Sequence, residues 1–217
     1  METPDAWQFM GSRIPHLYAI IDAAQTGTQS PFLIAEELLE AGVRLIQYRD
    51  KTGTSRGLFE ASQQIAARAR DANAIFIVND RADVARASGA GGVHLGQEDL
   101  PVELARRVLH PGQWAGISTH NLFQIEQAES SSADYVAFGP IFATASKERP
   151  DPVVGLEGLR QARELTRKPL VAIGGITLAN ALAVIEAGAD SVAVIHDLLA
   201  AEDIGARAQE FLRLLGG

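Results

Sequence analysis

The chain has 217 residues, 47% apolar and 21% charged, with no cysteine and a formal net charge of −8. Disulfides and thiolate metal centres are thereby excluded, and the acidic balance argues against a broad electrostatic grip on nucleic acid or anionic lipid. No stretch reaches the roughly 20 apolar residues of a membrane span, the first residues lack the apolar core of a signal peptide, and the length suits one well-cored domain, so a cytoplasmic, single-domain protein is expected.

Residues 1–15 read as a lead-in to a first strand, "LYAII" (17–21), which ends at Asp22, a residue common in turns. A helix follows in which Ile34, Leu38 and Ala41 share a face, closed by the glycine of "EAG". The second strand, "VRLIQY" (43–48), runs into "QYRDK". Alternate side chains on a strand share a direction, so Gln47, Arg49 and Lys51 project together if the extended geometry persists. A helix with Leu58, Ala61 and Ile65 on one face leads to "AIFIV" (74–78) and "NDR", then to "GGVHL" (91–95) and "GQED".

"WAGIS" (114–118) ends beside His120, "DYVAF" (134–138) leads into "GPIFATASK", and "PLVAI" (169–173) into Gly174–Gly175. "DSVAVI" (190–195) precedes a short helix, "HDLLA" (196–200), and a last helix buries Ile204, Ala208, Phe211 and Leu215. Eight apolar, β-rich runs alternating with helices predict a (β/α)8 TIM barrel over residues 1–217. An open doubly wound sheet would alternate too, but a count of eight with a terminal helix favours closure.

Polar residues at the C-terminal ends of barrel strands face the active-site mouth, and here seven of the eight ends carry polar or Gly-rich residues. Arg49, Lys51 and Lys147, with the turn at Gly174–Gly175 and the hydroxyls of Thr144 and Ser146, form an anion-binding set. Asp80 and Asp99 read as a pair of carboxylate ligands for Mg²⁺, which takes one or two carboxylates together with waters and phosphates. The structural alternative makes Asp80 a turn residue and Asp99 the N-cap of the helix "LPVELARRVL". His94 reads as a core residue or a support for another side chain, His120 as a mouth residue or a helix start. No zinc spacing, nucleophile elbow or dinucleotide fingerprint is present. The rim therefore suits a phosphorylated small molecule, above all a departing diphosphate.

"LYAIID", "QYRDK", "NDR", "GVHLGQED", "GISTH", "DYVAFGPIFATASK", "VAIGGI" and "SVAVI", in that order on successive strands, resemble the thiamine phosphate synthases. That family joins 4-amino-2-methyl-5-hydroxymethylpyrimidine diphosphate to a thiazole phosphate, with Mg²⁺, releasing pyrophosphate. The resemblance implies a pyrimidine diphosphate site at Gln47, Tyr48, Arg49, Asp50, Lys51, Asn79, Ser118 and Lys147, with Arg49, Lys51, Ser118 and Lys147 acting in catalysis. It implies Mg²⁺ at Asp80 and Asp99, and a thiazole phosphate site at Thr144, Ala145, Ser146, Gly175, Ile195 and His196. In this family the diphosphate leaves first and the thiazole nitrogen traps the pyrimidine cation. His196 departs from the family's usual Ser or Thr. The related thiazole tautomerases carry a catalytic His where this chain has Pro140. A sugar-phosphate isomerase and a non-catalytic sensor of thiamine precursors are the other readings, and a homo-oligomer is compatible with the pattern.

Overall fold

Each of the eight apolar runs forms a strand in the computed structural model, which describes residues 14–144 and 151–216. The strands are β1 (Leu17–Asp22), β2 (Leu45–Arg49), β3 (Ile75–Asn79), β4 (Gly92–Leu95), β5 (Trp114–Thr119), β6 (Tyr135–Phe138), β7 (Leu170–Ile173) and β8 (Ser191–Val194). They pair in parallel in chain order, and β1 pairs with β8 through Tyr18↔Ala193, so the sheet is a closed barrel. The doubly wound alternative is ruled out.

The two-residue period of each strand separates two apolar layers. Tyr18, Ile20, Leu45, Ile77, Tyr135 and Val171 fill the barrel interior. Their neighbours in sequence, among them Ala19, Ile21, Ile46, Phe76 and Val136, pack outward beneath the helices. Tyr135 fits inside because β5 offers Gly116 opposite it: a Cβ there would lie 2.0 Å from the Tyr135 Cζ.

The outer ring comprises α1 (Pro31–Glu40), α2 (Ser55–Asp71), α3 (Ala82–Ser88), α4 (Val102–Val108), α5 (Leu122–Glu129), α6 (Gly155–Leu165), α7 (Ala181–Glu186), α8 (His196–Leu199) and α9 (Ile204–Leu215). Side chains at helix starts satisfy otherwise unpaired amides: Thr54 accepts from the Gly57 N–H at 3.1 Å, Asn121 from Gln124 at 3.0 Å, and Asp203 from Ala206 at 2.7 Å. In α9 the expected face, Ile204, Ala208, Phe211 and Leu215, is the buried one. Burying a side chain of the size of Phe211 contributes about 1.5–3 kcal/mol.

Strand ends shift from expectation by one or two residues, most at the start of β2. β2 starts at Leu45 rather than Val43, because Val43 completes the end of α1. Its N–H donates to the Leu38 carbonyl at 3.0 Å and that of Gly42 to Leu39 at 3.1 Å, with Gly42 at φ +105°. This is the crossed bonding of a glycine-terminated helix. On α2 the expected Leu58 and Ile65 are buried together with Ser62, Ala66 and Ala69, and Ala61 packs partly buried at the edge of the same stripe.

Candidate functional site at the barrel mouth

The C-terminal ends of β2 to β5 bring most of the polar set together. On β2 the period of two holds as far as the strand does. Gln47 and Arg49 face inward, and Tyr48 faces the helical layer. Gln47 is 2% exposed and donates through Nε2 to the Tyr18 hydroxyl at 2.7 Å. Above it, Arg49 Nη1 donates to Asp22 Oδ2 at 2.6 Å. Asp22 is buried and also accepts from the Ala24 N–H at 3.1 Å, so it is more than a turn residue: it fixes the guanidinium. A buried carboxylate with a fixed, hydrogen-bonded cation is strongly held.

Lys51 lies past the strand end, carried on a turn that Asp50 builds. Asp50 Oδ1 accepts from the N–H groups of Thr52 at 3.0 Å and Gly53 at 2.7 Å. Its Oδ2 takes the Tyr48 hydroxyl at 3.3 Å. Burial, followed by the neighbouring Asp50, pushes the Tyr48 phenol up to about 12. Tyr48 and Asp50 are thus positioned to shape the loop, and the Tyr48 ring is not at the mouth. The Lys51 ammonium reaches across to Asp80 Oδ2 on the next loop. That lysine side chain is 49% exposed, so the pair is worth about 0–1 kcal/mol and is readily exchanged.

Asp80 sits at φ +61°, a left-handed conformation that Asp tolerates better than most residues. Its N–H donates to the His94 carbonyl at 2.7 Å. Burial raises its pKa first, and a hydrogen bond shared with Asp99 raises it further, while Lys51 lowers it. Asp99 Oδ2 accepts from the Gly96 N–H at 2.6 Å. It does not cap α4, whose N-cap is Pro101. Two carboxyl groups in contact, with a cation already drawn to them, make a donor set that fits a hard divalent ion. Among the described residues no cluster of three or more His, Cys, Asp or Glu exists, so such an ion would complete its shell with waters and substrate oxygens, as Mg²⁺ does.

Ser118 closes this half of the rim. Its Oγ lies 2.8 Å from His94 Nε2, and its carbonyl accepts from Gln97 Nε2 at 2.6 Å. Asn79, at the end of β3, adds an amide that has no hydrogen-bond partner among the described residues.

The other half is built from β6 to β8. Gly174 and Gly175 have φ of +101° and +62°, and the Phe142 N–H donates to the Gly174 carbonyl at 3.0 Å. A Cβ on Gly175 would come within 2.5 Å of the Ala143 carbonyl oxygen, so the loop leading to Thr144 presses on the glycine turn. Ile195 points into the barrel. His196 opens α8, the short helix foreseen from "HDLLA", and its Nδ1 lies 3.3 Å from Gln25 Oε1. Ala145, Ser146 and Lys147 lie outside the described residues. His120 does not start α5, which Asn121 caps. Its Nδ1 is 2.8 Å from the Gly139 carbonyl and 3.5 Å from Asp151.

Residues 17–198 match the family model described as thiamine monophosphate synthase. The chain is 50% identical over 209 residues to a thiamine-phosphate synthase of Koribacter versatilis, covering 94% of this chain and 98% of that one. It is 42% identical to a thiamine-phosphate synthase of Chloroflexus aurantiacus, covering 92% of each. Its fold superposes with a TM-score of 0.83 on the structure of thiamine phosphate pyrophosphorylase from Pyrococcus furiosus, at 36% identity, covering 92% of this chain and 95% of the other. Among the described residues no helix is long and apolar enough to cross a membrane.

Proposed function

Because the chain belongs to the thiamine monophosphate synthase family, a family of transferases, we propose that this barrel joins 4-amino-2-methyl-5-hydroxymethylpyrimidine diphosphate to a thiazole phosphate, giving thiamine phosphate and pyrophosphate. One observation carries the reading: the Lys51–Asp80 pair, in contact with Asp99, shares the rim at the ends of the paired strands β2 and β3 with the fixed guanidinium of Arg49. That is a ready exchange site for a metal-bound diphosphate.

Arg49 and Lys51 hold the diphosphate oxygens, Asp22 keeping Arg49 aimed at them. Asn79 and Ser118 donate hydrogen bonds from the next strand ends, and Lys147 adds a third cation. Gln47 lies at the floor below Arg49, against the pyrimidine. Tyr48 and Asp50 serve by building the turn that carries Lys51. Asp80 and Asp99 would hold Mg²⁺, which when bound neutralises charge on the diphosphate as it departs. Thr144, Gly175, Ile195 and His196, on the opposite half of the rim, receive the thiazole phosphate, with Ala145 and Ser146 next to Thr144 in sequence.

The carbon–oxygen bond to the diphosphate breaks first, the electron pair leaving with the oxygen. The ring amino group stabilises the resulting cation, and the thiazole nitrogen supplies the electron pair of the new carbon–nitrogen bond. No protein nucleophile is needed. The residues act by positioning and by stabilising negative charge that develops on the leaving group.

The test is a coupling assay with both substrates, in Mg²⁺ or in chelator, with thiamine phosphate read by mass spectrometry. Product in Mg²⁺ and none in chelator is expected, with Asp99→Asn needing at least about tenfold more Mg²⁺ because a charged ligand becomes neutral at similar size. Unchanged Mg²⁺ dependence in Asp99→Asn would remove the carboxylate pair from the metal site. Binding of both substrates without product would make the protein a sensor.

A further inference from the structure

A chain of buried hydrogen bonds crosses the barrel interior and ends at the rim. Gln47 Nε2 donates to the Tyr18 hydroxyl at 2.7 Å. The Tyr18 and Tyr135 hydroxyls are 3.0 Å apart, the Tyr135 hydroxyl is 2.9 Å from His94 Nδ1, and His94 Nε2 is 2.8 Å from Ser118 Oγ. The residues come from β2, β1, β6, β4 and β5 in turn. Gln47, Tyr18, Tyr135 and His94 are at most 7% exposed.

Counting protons gives this chain a direction. Each phenol has one proton to donate. Tyr18 already accepts from Gln47, so its own proton goes to Tyr135, the other group beside its hydroxyl. Tyr135 then gives its proton to His94 Nδ1, which must be the bare nitrogen. The proton of the imidazole is therefore on Nε2 and donates to Ser118 Oγ. With Gln47 Nε2 turned to Tyr18, a proton on His94 Nδ1 would make Tyr135 accept from it and donate to Tyr18, and the Tyr18 proton would be buried without an acceptor, at a full desolvation penalty. Burial raises the pKa of both phenols far above neutrality, so neither proton is lost in the working range.

We propose that Gln47, Tyr18, Tyr135 and His94 form a one-way relay of positioning residues that makes Ser118 a hydrogen-bond acceptor from the protein and hence a donor into the mouth. With one lone pair taken by His94, the hydroxyl proton of Ser118 is turned outward, toward an oxyanion. The opposite relay would turn that proton inward onto His94 and present the diphosphate with a lone pair, which repels it. The tautomer follows from the ligand-free geometry with the Gln47 Nε2 facing Tyr18. Only the last step, donation to diphosphate, rests on the proposed reaction.

Two measurements separate these. Nitrogen-15 histidine spectra of the ligand-free wild-type protein should show His94 with a proton on Nε2 and a bare Nδ1. A proton on Nδ1 overturns the relay, whatever the protein catalyses. In the coupling assay, Tyr135→Phe keeps the ring and removes the link. It should lower kcat by about tenfold with KM for either substrate within about threefold, the size of one misdirected hydrogen bond. Ser118→Ala should then add little to Tyr135→Phe, and independent, multiplying losses would overturn the coupling. His94→Gln, whose amide nitrogen can reach Ser118, should keep more kcat than the shorter His94→Asn. Equal losses in the two would also overturn it. Absence of product from the wild-type protein, with the Nε2 proton seen, would refute the proposed reaction and leave the relay standing.

Discussion

Asp80 shows how a single residue can be built against stability. Its left-handed backbone aims the carboxylate at Asp99 and Lys51, and burial with the Asp99 hydrogen bond raises its pKa. A carboxyl group with a raised folded-state pKa holds its proton to higher pH than the unfolded chain does. Its stabilising contribution is therefore complete below the ordinary carboxylate pKa and is lost as pH rises through the raised one. The half-exposed Lys51 offsets only part of that loss. Asp80→Asn keeps a residue suited to the left-handed region and removes the charge. The ligand-free variant should melt about 2 °C higher at pH 8, with a smaller decline in Tm between about pH 4 and pH 7, while losing Mg²⁺-dependent turnover. Asp80→Ala should be less stable than Asp80→Asn by about 1–2 kcal/mol, because a Cβ without a polar group pays the full left-handed penalty. Thermal melts of both variants at two pH values decide it, and an Asn variant that melts lower at pH 8 would show that Asp80 is bound for stability rather than for the site.

At the scale of elements, what was legible in the sequence is what one strand decides by itself. The alternation on β2 put Gln47 and Arg49 on one face and so placed Tyr48 on the other. The glycine of "EAG" marked a helix end, and Gly42 does adopt positive φ. The interior hydrogen-bond chain was not legible, because Tyr18 and Tyr135 stand 117 residues apart on strands that do not pair. Only the closed barrel brings their hydroxyls together. Asp22 was misread for the same reason: its importance lies in Arg49 on the neighbouring strand, while its own surroundings spell only a turn. Local signals for the interior polar chain were His94 within a strand, read as a core residue or a support and found as both, and Gly116 within "WAGIS", a residue poorly suited to a strand that makes sense once the Tyr135 ring lies over it. Gly116→Ala should cost about 1–3 kcal/mol by overpacking, since the added methyl meets the middle of a buried ring rather than a flexible chain end. Chemical denaturation should show that loss, and kcat should fall with it as Tyr135 is displaced from His94. A variant as stable as wild type would mean that the ring has room to move.

For the whole molecule, the closed barrel divides the labour of the rim between two arcs. The ends of β2 to β5 carry Arg49, Lys51, the carboxylate pair and Ser118, whereas β6 to β8 carry the glycine turn and α8. The seam between β8 and β1 is sealed from outside by α9, which packs on α1, α8 and β1, and from below by His16, whose Nδ1 lies 2.7 Å from the Leu215 carbonyl. Phe211 is the large side chain at the centre of that seal and is fully buried. Phe211→Ala should cost about 3–5 kcal/mol, lowering Tm by roughly 10 °C in a chain of this size. Because α8 rests on α9 while the β2 to β5 arc does not, the functional damage should be unequal. KM for the thiazole phosphate is expected to rise several-fold in the folded variant at low temperature, with KM for the pyrimidine diphosphate nearly unchanged. Parallel rises in both would mean that strain at the seam spreads around the barrel, and that the two arcs do not act as separate binding surfaces.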